Sequence, residues 1–582
     1  RGMNYMLKIN LRFVIVMMLI NFTTSIFAAD EMKAETDPHA NIYKESDFPS
    51  ATECAGCHKK IYDEWSSSSH AYASISPMFH KFEQKINDLA PTIDNFCVRC
   101  HMSVGTTLGE ERHLPLWERS QVSREGVTCV TCHRIDEQFG KANGERGIVA
   151  GDIYQPVYGP FGGDGVMKAI ENKDELKIAI SPKGRGKKIH LGAIKFEQLS
   201  ESEFCVSCHQ VAINLGIKLE VVWEQYRASP AFKEGITCQD CHMGKIPGVD
   251  SGYEIGPAAE VNGKTVNDDR KHSNHAFYGP GYSVAHPGLF PHNPEAEEWT
   301  VEEWLQYDYR AGWGSEDFED EFEENGGIEF PEAWEERDDR ETAFEVVTEN
   351  IEKTQEKMEL RKEVMENGSR LDGPFFDGTP KAGKYLNFSY KVTNTNSGHN
   401  LPSGSLGAQP EIWLNVALTN PEGVTVWESG YVDSYGDMAD MHSLDVSSGK
   451  IKADEQLFNL QTKFLTTNVK GTDREMYLPV NFDIDQLPFL RPAQQPVSVM
   501  NHPPFVRMEG RSIPPLGSRN AKYKVPAELI KSPGQYKLSV RLRSRAEPIY
   551  FMKFVEATVD MERSMNEWMV DIHPYTVEFQ VH

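Results

Sequence analysis

Beyond about residue 380 apolar and polar side chains alternate, the period of a half-buried strand. Residues 385–392 (Tyr-Leu-Asn-Phe-Ser-Tyr-Lys-Val) read as one such strand. Residues 411–418 and 424–427 flank Asn420-Pro-Glu-Gly423, a good turn, and read as a hairpin. Residues 536–542 and 575–581 complete the set, and scattered prolines between 479 and 533 mark irregular connections. Upstream, over 340–366, the period lengthens to that of a helix. Phe344, Val347, Ile351, Met358 and Leu360 supply an irregular apolar stripe, and Asn367-Gly368 offers a stop. Residues 54–242 carry no comparable periodicity, and only short helices are expected there, over 59–69 and 211–227. At the N-terminus Lys8 and Arg12 precede an apolar run over 13–20, followed by Ala28 and Ala29. That order reads as a secretory signal, and no spanning segment is expected after its cleavage.

The pattern predicts an α+β multidomain chain. A signal peptide over 1–29 precedes a mainly helical and irregular domain over 30–294. An acidic helical segment over 295–372 leads to a β-sandwich-like domain over 373–582.

Charge sharpens this division. The 582 residues carry a net charge of -27, which argues against nucleic acid and anionic lipid as partners and suits basic proteins. More than half of it lies between 295 and 340, where acidic residues crowd among Trp299, Trp304, Phe318, Phe322 and Trp334. A docking face or a calcium site is one reading. The preferred one is a solvated insertion whose aromatics pack inward.

The chemistry sits in the cysteines. All ten fall in five copies of Cys-x-x-Cys-His: Cys54, Cys57 and His58; Cys97, Cys100 and His101; Cys129, Cys132 and His133; Cys205, Cys208 and His209; Cys238, Cys241 and His242. This is the attachment signature of c-type haem, in which two thiols bond the porphyrin and the adjacent imidazole binds iron. Disulfides or zinc sites do not explain a histidine after every second cysteine. Five covalently attached haems c are therefore expected. Such attachment occurs outside the cytoplasmic membrane, so motif and signal agree on the periplasm or beyond.

Motifs two and three resemble motifs four and five in sequence and spacing. Arg124-Glu-Gly-Val-Thr-Cys129 parallels Lys233-Glu-Gly-Ile-Thr-Cys238, a duplicated two-haem unit with the first motif added in front. A carrier haem usually has both axial positions filled, whereas a catalytic one keeps a position open. With His58, His101, His133, His209 and His242 spent as proximal ligands, distal candidates are His70, His190, His275, His286 and His399. His272 is the local rival of His275, and His80 and His113 are reserves. The basic loop 183–188, just before His190, suits pairing with haem propionates.

The run from Cys54 through Tyr62-Asp-Glu-Trp65 to His70 resembles the opening of cytochrome c-554-type multihaem proteins. Residues 124–134, Val157-Tyr-Gly-Pro160 and 235–243 are similar to recurring elements of that group. Residues 396–404 and 411–414 resemble a β domain of its larger members. The resemblance implies stacked haems that carry electrons between redox proteins, with His70, His190 and His275 as distal ligands. No side chain is then required as a catalytic acid or base. The alternatives are an oxidoreductase acting on a small nitrogen or sulfur compound at a haem with an open position, or a conductive assembly, as a homo-oligomer or filament.

Overall fold

The computed structural model describes residues 48–89, 95–138, 146–212, 218–282, 285–289, 293–403, 410–440, 442–461, 463–467, 476–477, 505–509 and 511–582. The expected signal segment at 1–29 lies outside them.

The N-terminal half is a string of short helices, most of four to eight residues, joined by loops. Their ends are defined locally. Ser50 caps Ala51–Ala55 by accepting from the Thr52 N–H, Pro230 opens Pro230–Glu234 behind the Ser229 cap, and Thr237 with Asp240 forms a reciprocal capping box on Cys238–His242. No single core unites them. Apolar residues gather instead in small clusters such as Ala51, Tyr62, Trp65 and Ala71, or Ile135, Phe196 and Phe204. Motif cysteines pack on their borders: Cys129 and Cys132 on these two, Cys57 and Cys97 on others.

The first expected helix is present as Lys59–Ser66. The second, expected over 211–227, is corrected: among the described residues only Val222–Arg227 is helical. Val211 and Ala212 instead pair antiparallel with Lys218–Glu220, where a ladder to a partner strand outweighs local helical preference.

In the acidic segment Trp299, Trp304, Tyr307, Trp313 and Trp334 form one aromatic core. Beside it the buried Arg340 guanidinium donates through Nε to Glu319 at 2.8 Å and through its second arm to the other carboxylate oxygen. A long helix, α1 (Arg337–Asn367), leaves this core and spans about 46 Å at 1.5 Å per residue. Its buried stripe begins with Ala343, Val346 and Val347. It continues as Asn350, Thr354, Lys357 and Arg361 before ending at Met365. Phe344, Ile351, Met358 and Leu360, the expected apolar residues, are only half-buried.

Among the described residues the C-terminal part holds, besides a small sheet of Lys463–Thr467, Met476–Tyr477 and Phe505–Glu509, two larger antiparallel sheets. One contains β1 (Ser369–Phe376), β2 (Leu386–Asn394) and β5 (Ser518–Val525) in the order β1-β2-β5. The other contains β3 (Glu411–Thr419), β4 (Thr425–Ser429), β6 (Gly534–Arg545) and β7 (Val570–Val581) in the order β4-β3-β6-β7. Phe388 stands opposite Tyr523 in the first, Leu414 opposite Leu542 in the second, and their inner faces share one core. β1 straddles the expected boundary at 372/373. The expectation of irregular chain over 479–533 is also corrected, since β5 and the strand Phe505–Glu509 fall within it. β5 pairs on one side only, and just Ala521, Tyr523 and Val525 point inward, so its apolar signal is weak.

This part is fastened to the helices. Ile549, Met552, Met561 and Met565 pack on Met78. The Ser397 carbonyl accepts from the Ala231 N–H at 3.1 Å, and Gln225 Oε1 accepts from the Asn400 N–H and the Ser403 hydroxyl at 3.2 and 2.7 Å. Among the described residues no helix is long and apolar enough to cross a membrane.

Candidate haem sites

Four of the five motifs lie on one helical turn each: Val98–His101, Cys129–His133, Val206–His209 and Cys238–His242. The first motif bridges the end of Ala51–Ala55 and the start of Lys59–Ser66. A turn of 3.6 residues brings positions i, i+3 and i+4 to one face, so both sulfurs and the imidazole of a motif point the same way. All ten thiols are free and half-buried. Sulfurs of different motifs lie side by side. The thiol of Cys54 interacts with that of Cys129, Cys100 with Cys208 and Cys205 with Cys238, and each such neighbour disfavours the thiolate of Cys129, Cys100 and Cys205. The half-buried Arg146 donates to Cys208 Sγ at 2.6 Å, and its charge is felt by thiols of motifs two, three and four.

Each of four motif histidines faces a second histidine from a distant segment. Ring centroids are 6.3 Å apart for His58 and His190, with planes 9° apart. They are 6.3 Å apart for His209 and His70 (53°), 6.4 Å for His133 and His275 (30°), and 6.1 Å for His242 and His399 (15°). The spacing is too wide for stacking contact and matches a metal between them. With metal–nitrogen bonds of about 2 Å, two imidazoles bound trans to one ion have centroids about 6 Å apart.

The back of most of these rings is held by a carbonyl. The Nδ1–H group of His58 donates to Ala258 at 2.7 Å, that of His133 to Tyr158 at 2.7 Å, and that of His242 to Tyr278. Among the facing rings, His190 donates to Gly192 at 2.9 Å, His275 to Ser273 at 2.7 Å and His399 to Asn400 at 2.9 Å. Such bonds fix the tautomer and leave the Nε2 lone pair pointing forward. His70 differs, because its buried Nδ1 has no hydrogen-bond partner. Burial keeps the rings neutral, which is the ligating form. It lowers the pKa of His70 and His275 to about 3 and of His190 and His242 to about 4, and it lowers His58, His133 and His399 as well.

His101 is arranged differently. Its Nδ1 donates to the Ala73 carbonyl at 3.1 Å, and Phe79 stacks on the ring face at 4.1 Å and 12°. No histidine ring faces it among the described residues. His286 is not brought to a motif. Its Nε2 donates to the Tyr307 carbonyl at 2.9 Å, its Nδ1 accepts from the Gly288 N–H, and its ring packs against Tyr309 and Trp304. His80 is likewise engaged with the Ser74 carbonyl, and His113 lies beside Glu111 at the surface.

Some contributors carry no motif. The Glu64 carboxylate, on the Lys59–Ser66 helix, accepts from the His272 ring at 2.7 Å and from the His275 N–H at 2.9 Å, so it holds the loop that presents His275 and occupies its rival. Phe277 meets His70 edge-on at 4.2 Å. Buried Glu125 accepts from Ser50, from the Ala51 N–H at 2.9 Å and from Thr128 at 2.6 Å, tying motif one to motif three. In the sequence Glu64 stands beside Asp63 on a helix that also carries Lys59 and Lys60, so no local signal marks it. In the basic loop, Lys187 donates to the Gly56 carbonyl at 2.8 Å and Lys188 pairs with Glu53 at 3.2 Å, so the loop lies against motif one. For calcium, no converging group of three or more His, Cys, Asp or Glu side chains is found among the described residues.

Paired thiols and a carbonyl-oriented imidazole on one helical turn define a c-type cytochrome site. Residues 53–134, which contain the first three motifs, match the family described as Cytochrome c554 and c-prime. Haem c is thereby implied for that segment, and electron transfer is the activity the family suggests. The chain has no match among curated proteins.

Proposed function

We propose that this protein is a secreted pentahaem c-type cytochrome that passes electrons between redox proteins. The observation that carries the reading is the set of four facing histidine pairs at 6.1–6.4 Å. When bound, the haems supply one-electron iron chemistry with potentials set by axial ligand, burial and nearby charge. The ten cysteines tether them, and His58, His101, His133, His209 and His242 hold the proximal positions. His190, His70, His275 and His399 hold distal positions, while His286 is left to packing. The backbone carbonyls behind the imidazoles keep their orientation and basicity constant. Adjacent thiols of motifs one and three, two and four, and four and five support close haem neighbours, as a relay requires. The C-terminal sheets, read as a β-sandwich, deliver His399 to the fifth motif. Export to the periplasm or beyond follows from the leader and from the site of covalent haem attachment.

The test is mass and spectroscopy on mature protein. Five covalent haems and four low-spin signals of bis-histidine type are expected. A mass without added haem ends the proposal.

A second reading, an oxidoreductase of a small nitrogen or sulfur compound, draws support from His101 alone, since no histidine faces it among the described residues. Binding of cyanide or nitric oxide to one haem per chain, with turnover of such a compound, favours it. A fully low-spin protein that binds neither removes it.

A further inference from the structure

Helix α1 carries two cations to a place where cations are costly. Lys357 is 7% exposed and Arg361 is 1% exposed, one turn apart on the same face. Lys357 Nζ donates to the Ser69 hydroxyl at 3.2 Å and lies 5.0 Å from the centre of the Tyr72 ring. Arg361 donates to the carbonyls of Pro280 and Trp568 at 2.7 and 2.8 Å, and its second terminal nitrogen has no partner. Among the described residues neither cation has a carboxylate partner, and each is the other's unfavourable neighbour. Buried charges persist in folded proteins when paired, and desolvating two like charges without a counter-ion is strongly unfavourable.

Both cations line one pocket, together with Ser67, Ala276, Tyr278 and Gly279. Part of the lining comes from the two segments that present the facing histidines: Ser67 leads to His70, and Ala276 follows His275. The charge of Lys357 is felt directly at His70. Nothing in the acidic composition of α1 calls for two buried cations here. The pocket at the edge of the histidine pairs does.

We propose that Lys357 and Arg361 form a buried anion site that takes a propionate carboxylate of the haem held between His209 and His70. The same charge could come from a free small oxyanion, and the experiment separates these sources. The proposal rests on the haem assignment above. α1 thus docks on the haem region through charge as well as packing, which gives the acidic segment a structural role in the redox centre.

The experiment compares Lys357→Met, Arg361→Met and Lys357→Arg with the wild type as purified holoprotein. The haem content of every sample is counted by mass, so that a failure of haem loading is seen separately. With a propionate in the pocket, each Met variant leaves a buried carboxylate underpaired. Its thermal midpoint falls by several degrees, and one low-spin haem becomes about tenfold harder to reduce, which is about 59 mV for a one-electron couple. Lys357→Arg restores both. If the haems are complete and Lys357→Met instead raises the midpoint with no change in any potential, the lysine has no anion and the proposal is overturned. If added sulfate or phosphate stabilises the wild type but not the Met variants, while potentials stay fixed, the occupant is a free oxyanion and the propionate assignment is overturned.

Discussion

His242 and His399 face each other with centroids 6.1 Å apart and planes 15° apart, although one belongs to the fifth motif and the other to a loop of the C-terminal sheets. The loop is held by Asn394, whose amide donates to the His399 carbonyl at 2.9 Å, and by Asn396, whose side chain accepts from the His399 N–H at 3.0 Å. The His399 ring thus brings the β part to the fifth motif. His399→Ala is expected to convert one haem of five from low to high spin and leave the others unchanged, read by electron paramagnetic resonance. Loss of that link should also lower stability by roughly 2–4 kcal/mol. An unchanged low-spin count would remove His399 from the ligand set.

Phe79 on the face of His101 leads to a stoichiometric prediction. Cyanide titration of the oxidised protein should saturate at one ligand per chain, and the affected haem should be the one tethered by Cys97 and Cys100. A Cys97→Ala, Cys100→Ala variant, shown by peptide mapping to lack that haem, should bind no cyanide. Saturation at zero, or at several sites, contradicts the arrangement seen around His101.

Glu64 is a positioning residue. Its carboxylate holds the His272 ring and the His275 backbone together, and both partners are buried or nearly so. Glu64→Gln keeps the size but weakens charge-assisted bonds, for a loss of about 1–3 kcal/mol. The loosened His275 should broaden the low-spin signal of the haem at His133. Glu64→Asp, too short to reach both partners, should behave like Gln. A structural role alone would lower stability without moving the spectrum.

A pH dependence arises away from the haems. Asp437 is buried beside Glu411, Arg545 and Lys553, and burial, reinforced by Glu411, raises its pKa to about 7. The Tyr550 N–H donates to its carboxylate at 2.8 Å, while Oδ2 has no hydrogen-bond partner. The folded state therefore binds this proton more tightly than the unfolded chain, whose aspartate titrates near about 4. The contribution to stability is full below about pH 4 and is lost as pH rises to about 7. Asp437→Asn should flatten that part of the melting profile between pH 4 and 7 relative to the wild type. Identical profiles for the two proteins would show that the carboxyl titrates normally.

Much of the fold was legible because its signals are local. Alternation at 385–392 marks β2, whose inward residues must meet a core whatever the partners are, whereas β3 is buried on both faces. The single-sided strand β5 escaped notice, since three inward residues among lysines and prolines make little pattern. The strand pair at Val211 reads as helix in the sequence, because a short apolar stretch fits either period until its partner is known. On α1 the periodicity located the helix but not the buried face. The stripe that docks on the haem region is polar, and Lys357 and Arg361 read as solvent residues by composition.

The motifs belong to sequence alone. Covalent chemistry needs two thiols and an imidazole within one helical turn, and the chain writes these contiguously. The facing histidines are another matter, because each pair joins rings from segments with no local relation. His190 meeting His58, His399 meeting His242, and His286 turning instead to Tyr307 were decided only when helices, loops and sheets packed together. So was the stacking of Phe79 on His101. A proximal ligand is a property of the chain's covalent order, and a distal one is a property of its folded space.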